Sequence, residues 1–150
     1  MTGPNLAGVV GTTTTYDYES LEEAFPEVDA GVEPYGTRIL VQIRSPKSKT
    51  KGGIIVPNDS RETELWNTQV AKVICLGPVA FKNRDTLEEW PEGAWCQPGT
   101  YVRVPKYGGD RWYVPVPDSK VNAQALFTLF KDTDIIGKIT CDPLEVVAFL

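Results

Sequence analysis

Short strand-like segments, separated by glycine and proline turns, are the feature that most constrains the fold of this chain. The segment 37–43 alternates and puts Ile39, Val41 and Ile43 on one face, the period of a strand. Similar segments recur at roughly ten-residue spacing, over 68–77, 100–107, 111–116, 125–131 and 134–140. This pattern predicts an all-β protein, a small antiparallel barrel or sandwich.

Two local signals refine the prediction. The sequence YESLEEAFPE predicts one short helix, with Ser20 as N-cap, Glu23 at the capping-box position and Pro26 as its end. The sequence YGGD, residues 107–110, predicts a hairpin turn that leads into the strand 111–116.

The charge is unevenly distributed along the 150 residues, and the net charge is -5. Residues 1–37 hold seven acids and no Lys or Arg, whereas the rest of the chain is nearly neutral. This balance disfavours a nucleic-acid-binding or anionic-membrane surface. The acidic start fits neither a secretory signal nor a mitochondrial transit peptide, and no apolar run approaches the length of a membrane span. We therefore expect a cytoplasmic protein.

Few residues suggest catalysis or metal binding. The chain has no histidine, so the commonest general base and metal ligand is missing. Cys75, Cys96 and Cys141 form no CxxC pair and are interpreted as reduced, mostly buried thiols. Asp132 and Asp134 favour a turn or capping role over a cation site. Core or interface packing, rather than a ligand cage, is the interpretation for the tryptophans Trp66, Trp90, Trp95 and Trp112. We predict no enzyme, metal or cofactor.

An apolar triplet in a polar segment is the least ordinary feature. Residues 47–64 read KSKTKGGIIVPNDSRETE, and Ile54, Ile55 and Val56 stand between Gly52-Gly53 and Pro57. Glycines keep a free segment flexible, while β-branched residues prefer the extended shape that pairs with a partner. The flanking charges guard such a triplet against self-association. The alternative is a buried strand flanked by loops.

Five blocks in order resemble the GroES-type co-chaperonin (chaperonin-10) family. They are EPYGTRILVQI, the loop with GGIIVP, VAKVICLG, PGTYVRVPKYGG and LFTLFKDTDIIGKI, and together they run from about Glu33 to Thr140. The specific parts are GGIIVP and the pair KYGG and DTDIIGKI. The resemblance leaves residues 1–32 as an acidic N-terminal extension and 141–150 as an apolar C-terminal tail.

The resemblance implies a small antiparallel GroES-like β-barrel with a mobile loop at 45–66 and a roof hairpin at 78–98. In that family, the Gly-Gly-apolar segment of the loop docks into a groove of the large chaperonin ring. By position, the implied docking residues are Gly52, Gly53, Ile54, Ile55, Val56 and Pro57. The partner would be a GroEL-type chaperonin, which binds and hydrolyses the ATP, and unfolded substrate proteins would be enclosed indirectly.

The family also forms a heptameric ring, in which a strand near the chain start pairs with a neighbour's last strand. Here the implied strands are 37–43 and 135–140, with the interface residues Ile39, Val41, Ile43, Ile135, Ile136 and Ile139. The implied roof residues are Phe81, Trp90 and Trp95.

Departures from the family pattern leave two alternative functions open. Thr37 and Thr100 stand where the family commonly has Asp, and the segment 78–98 is longer and richer in tryptophan. A structural β-barrel subunit of a larger particle explains the strands equally well, but not the apolar triplet. A barrel that binds single-stranded nucleic acid needs a basic groove with aromatics, which the acidic balance disfavours.

Overall fold

The computed structural model describes residues 21–45, 69–106, 108–117 and 124–145. It contains one short helix, one 3-10 turn and six strands: α1 (Leu21–Ala24), β1 (Arg38–Ile43), β2 (Val70–Leu76), β3 (Tyr101–Arg103), β4 (Asp110–Pro115), β5 (Gln124–Lys131), η1 (Asp132–Asp134) and β6 (Gly137–Lys138). The all-β prediction is confirmed. Neither helix in these ranges is long and apolar enough to cross a membrane.

The strands form one antiparallel sheet in the order β4–β5–β1–β2–β3–β6. The central strand β1 pairs with β5 on one edge and with β2 on the other. The β1–β2 register shifts between Leu40 and Val41, where an irregularity interrupts the ladder. Every residue of β1 after Arg38 is buried, so both faces of this strand are covered.

The prediction that residues 107–110 form a hairpin turn is wrong. β3 pairs with β2 and β6, while β4 pairs with β5 at the opposite end of the strand order. A hairpin requires neighbouring strands, so this glycine-rich segment is instead a connection between strands that do not pair. Gly108 and Gly109 have φ of 100° and 72°, conformations that favour glycine. The turn signal was therefore real, but it could not identify the strand that pairs with β4.

A single main core lies on the inner face of the sheet. It takes residues from β5, β1, β2 and β3, and from the turn before β6, so the sheet wraps around it in the manner of a small barrel. Its buried members are Ile39, Val41, Ile43, Ala71, Val73, Ala80, Phe81, Cys96, Val102, Val104, Leu126, Phe130 and Ile135.

Residues before β1 and after β6 cover the outer face of the sheet in two further clusters. The terminal cluster joins α1 and the C-terminal segment to β2 and β3, and its members are Ala24, Phe25, Val70, Tyr101, Ile139, Cys141 and Leu144. The outer cluster contains Leu40, Ala125 and Phe127, with Val28 and Ala30 packed against it. The Trp112 indole N–H donates to the Ala30 carbonyl at 3.0 Å, which fastens this part of the extension to β4.

Gly77 lies where a side chain would collide with neighbouring backbone. A Cβ at this position would lie 2.4 Å from the Gly36 carbonyl oxygen and 2.7 Å from that of Arg38. The Gly77 N–H donates to the Arg38 carbonyl at 2.8 Å, and the Val79 N–H donates to Gly36 at 2.9 Å. Glycine is required here because a side chain would occupy the space of the neighbouring backbone.

Candidate functional site

The segment 46–68 begins and ends at two neighbouring strands. Ile43 at the end of β1 is paired with Ala71 near the start of β2, so the chain leaves and rejoins the barrel at one place. The Arg44 N–H donates to Val70 at 2.9 Å, and the Val104 N–H donates to Gln69 at 2.9 Å. Most connections between paired antiparallel strands are only about 2–5 residues long, and long ones are usually either functional loops or linker segments.

The predicted docking residues lie in this connection. Gly52, Gly53, Ile54, Ile55, Val56 and Pro57 are all outside the described residues. The described residues nearest to them are Ser45 on one side and Gln69 on the other. Arg103 fixes the second of these, because its Nη2 donates to the Gln69 side-chain oxygen at 3.0 Å.

The six predicted interface residues do not form one surface in the structure. Ile39, Val41, Ile43 and Ile135 are buried in the chain's own main core. Ile139 is partly buried in the terminal cluster. Ile136 is 59% exposed, and it alone of the six offers a large accessible side chain.

The expected pairing of β1 with a neighbouring subunit does not fit this arrangement. Both edges of β1 are already hydrogen-bonded, to β2 and to β5 of the same chain, so no donors or acceptors remain for a third strand. The alternation of Ile39, Val41 and Ile43 marks a core-facing side and not an interface. By contrast, β6 pairs with β3 alone among the described strands, so its other edge is open there.

The predicted roof residues form an aromatic cluster anchored in the core. The ring centroids of Phe81, Trp90 and Trp95 lie 5.1–5.8 Å apart, within the usual range of aromatic pairs. Phe81 is 1% exposed, and both tryptophans pack partly buried against the main core. Between the first two, a turn carries Leu87, which is 61% exposed and has a φ of 63°.

Asp132 connects this segment to the end of β5, a link that sequence reasoning missed. Its carboxylate is buried and accepts the Phe81 N–H at 3.0 Å and the Thr133 N–H at 2.8 Å. Phe81 has a φ of 59°, a strained conformation for a bulky residue. The sequence indicated a turn role for Asp132, and the Thr133 contact agrees with it. The contact with Phe81, 51 residues away, carries no local signal.

The remaining candidate side chains are the cysteines, the acidic residues and the other tryptophans. Cys75, Cys96 and Cys141 are free thiols; burial raises the pKa of Cys96 to about 11, so this thiol stays neutral and unreactive near pH 7. Within the described ranges, no cluster of His, Cys, Asp and Glu is arranged to hold a metal ion. Trp112 packs against Phe127 with ring centroids 6.2 Å apart, a packing role like that of Trp90 and Trp95, while Trp66 lies outside the described residues.

Comparison with known proteins places this architecture in a family. The family model described as Chaperonin 10 Kd subunit matches residues 31–139. The chain is 30% identical over 106 residues to the co-chaperonin GroES of Caulobacter vibrioides, which covers 71% of this chain and 94% of that protein. It is 29% identical over 105 residues to the mitochondrial 10 kDa heat shock protein of Oryzias latipes, a match that covers 70% of this chain and 90% of that protein. The co-chaperonin GroES of Methylacidiphilum infernorum is 28% identical over 115 residues, a match that covers 75% of this chain and 97% of that protein. The chain therefore belongs to the chaperonin-10 family of GroES-type co-chaperonins.

Proposed function

We propose that this co-chaperonin caps a GroEL-type chaperonin and docks to it through Ile54, Ile55 and Val56. The observation that carries the proposal is the long connection between the paired strands β1 and β2, which holds the GGIIVP sequence inside the region matched by the family. An apolar triplet of this kind suits an extended segment that binds in a hydrophobic groove. The partner chaperonin, not this chain, would bind and hydrolyse ATP, and the lid would enclose an unfolded substrate protein.

A single docking segment would bind weakly. Each apolar side chain contributes about 1.5–3 kcal/mol when it is fully buried. Ordering each residue of the segment costs roughly 1–2 kcal/mol of backbone freedom, so the two contributions largely cancel. A peptide of residues 47–64 should therefore compete poorly with the whole protein.

A ring of subunits would overcome this weakness. After the first segment binds, the others bind at an effective concentration of roughly millimolar. We propose a heptamer, in line with the family resemblance. The open edge of β6 and the exposed side chain of Ile136 support a contact near the chain's last strand. The side chains of Ile39, Val41 and Ile43 have no part in this contact.

Nucleotide-dependent co-migration tests the proposal. The purified protein is mixed with a GroEL-type ring, with and without adenine nucleotide, and analysed by size-exclusion chromatography and native mass spectrometry. We expect a heptamer alone and a capped complex only when nucleotide is present. A protein that forms a ring but never co-migrates would instead fit a structural β-barrel subunit. A monomer at micromolar concentration would contradict the ring.

A further inference from the structure

A segment before β1 and a segment after β6 both reach the end of β1. The residues concerned, 24–26 and 141–144, lie outside the region 31–139 that the family model matches. They meet in the terminal cluster, where the Phe25 and Tyr101 rings have centroids 5.2 Å apart. The N-terminal helix and the C-terminal segment also bring Glu22 and Asp142 near Tyr101. The pKa of the Tyr101 hydroxyl is raised, mainly by burial and to a smaller extent by these two carboxylates.

Three hydrogen bonds connect these two segments to the last residues before the segment 46–68. The Ser45 N–H donates to the Ala24 carbonyl at 2.8 Å, which satisfies the last carbonyl of α1. The Gln42 side-chain amide donates to the Pro26 carbonyl, also at 2.8 Å. In the C-terminal segment, the Pro143 carbonyl accepts Arg44 Nη1 at 2.8 Å.

Arg44 is the most informative of these residues because it is only 3% exposed. A buried guanidinium costs desolvation free energy that an apolar side chain of similar volume would avoid. One of its partners is the Pro143 carbonyl of the C-terminal segment, so this contact depends on where that segment lies. A buried charge held by a segment outside the family match suggests a role in positioning rather than in bulk stability.

We propose that α1 and the segment 141–145 form a clamp across the end of β1, with Arg44 as its positioning residue. The clamp holds Ser45, and thereby fixes where the segment 46–68 leaves the barrel. Its effect on docking rests on the proposed function, whereas its existence does not. A residue that is already ordered before docking loses no further backbone freedom when the partner binds, which favours binding by roughly 5–30-fold per residue.

Hydrogen exchange in the free full-length protein tests the clamp directly. The variants are Arg44→Met, which keeps the side-chain volume but removes the donor, and Phe25→Ala, which removes the ring that packs α1 onto the barrel. Arg38→Met is the matched control, since Arg38 lies at the opposite end of β1 from Arg44 and is exposed. Exchange is measured by mass spectrometry with fragmentation that resolves the Ser45 amide, and the amides of Val41 and Val73 report on the core.

We expect the Ser45 amide to be protected in the wild type and in Arg38→Met, and to exchange at least tenfold faster in Arg44→Met and Phe25→Ala. The amides of Val41 and Val73 should stay protected in Arg44→Met, which would show that this variant is folded. If Phe25→Ala does not fold, the Ser45 exchange rate in Arg44→Met alone decides whether the clamp exists. A wild-type Ser45 amide that exchanges like an unstructured peptide overturns the clamp. So does an amide that keeps its protection in Arg44→Met.

Chaperonin binding is then measured on the same samples. Arg44→Met should bind a GroEL-type ring in nucleotide at least tenfold more weakly than Arg38→Met. Equal affinity, together with faster exchange at Ser45, would overturn the positioning role while leaving the proposed function intact. If the wild type itself does not bind, the proposed function fails, and the exchange rates alone decide whether the clamp exists.

Discussion

Replacing the buried carboxylate of Asp132 should destabilise the fold by removing the link between the aromatic cluster and the end of β5. Asp132→Ala leaves the Phe81 N–H buried without its acceptor at 3.0 Å, which costs about 1–3 kcal/mol. The Thr133 N–H, which belongs to an exposed residue, can turn to water, so its loss adds little. Relief of the carboxylate's desolvation offsets part of the total. We take about 2 kcal/mol as the net loss of unfolding free energy, or roughly 4–8 °C in Tm.

The assay is thermal unfolding by far-UV circular dichroism at one fixed protein concentration, since association would shift Tm. Asp132→Asn keeps one acceptor oxygen and should lose less stability than Asp132→Ala. The control is Asp134→Ala, because Asp134 is exposed and its carboxylate accepts only a longer bond, from the Lys131 N–H at 3.3 Å. Tryptophan emission should shift to the red in Asp132→Ala as Trp90 and Trp95 loosen. If Asp132→Ala melts within 1 °C of Asp134→Ala, the anchoring role of this carboxylate is wrong.

Three further predictions concern other parts of the chain. Gly77→Ala should lose about 1–3 kcal/mol in urea unfolding because its Cβ meets two backbone carbonyls; Gly137→Ala, where a Cβ meets nothing within 4 Å, is the control, and equal midpoints would contradict the argument. Ile55→Ser should keep the wild-type Tm but abolish co-sedimentation with a GroEL-type ring; a lower Tm would show that Ile55 is part of a core, and undiminished capping would show that it does not dock. The raised pKa of Cys96, from 9.0 to about 11, means that the folded state holds this proton more tightly, so stability present below pH 9 should decline between pH 9 and 11; Cys96→Ala should flatten that slope in urea unfolding, and an unchanged slope would exclude this thiol as its cause.

The strands could be read from the sequence because their signals are local. Alternation in 37–43 identified β1 as a strand with Ile39, Val41 and Ile43 on one face, since side-chain direction repeats every two residues regardless of what packs there. The apolar triplet Ile54-Ile55-Val56 stood out for a similar reason, as it contradicts its own polar surroundings. The family resemblance, which the comparisons confirm, depended on the order of such local blocks.

Only the tertiary structure decided which strand edges pair, which side chains are buried and which distant segments meet. The family resemblance placed Ile39, Val41 and Ile43 at a subunit interface, but the pairing of β1 on both edges and the burial of these residues place them in the core. Asp132 meets Phe81 across 51 residues, and Arg44 meets Pro143 across 99. No periodicity encodes such contacts, because a hydrogen bond between distant segments depends on the path of the whole chain. The buried carboxylate and guanidinium look like ordinary surface charges in the sequence, and it is the packing around them that makes one an anchor and the other a candidate clamp.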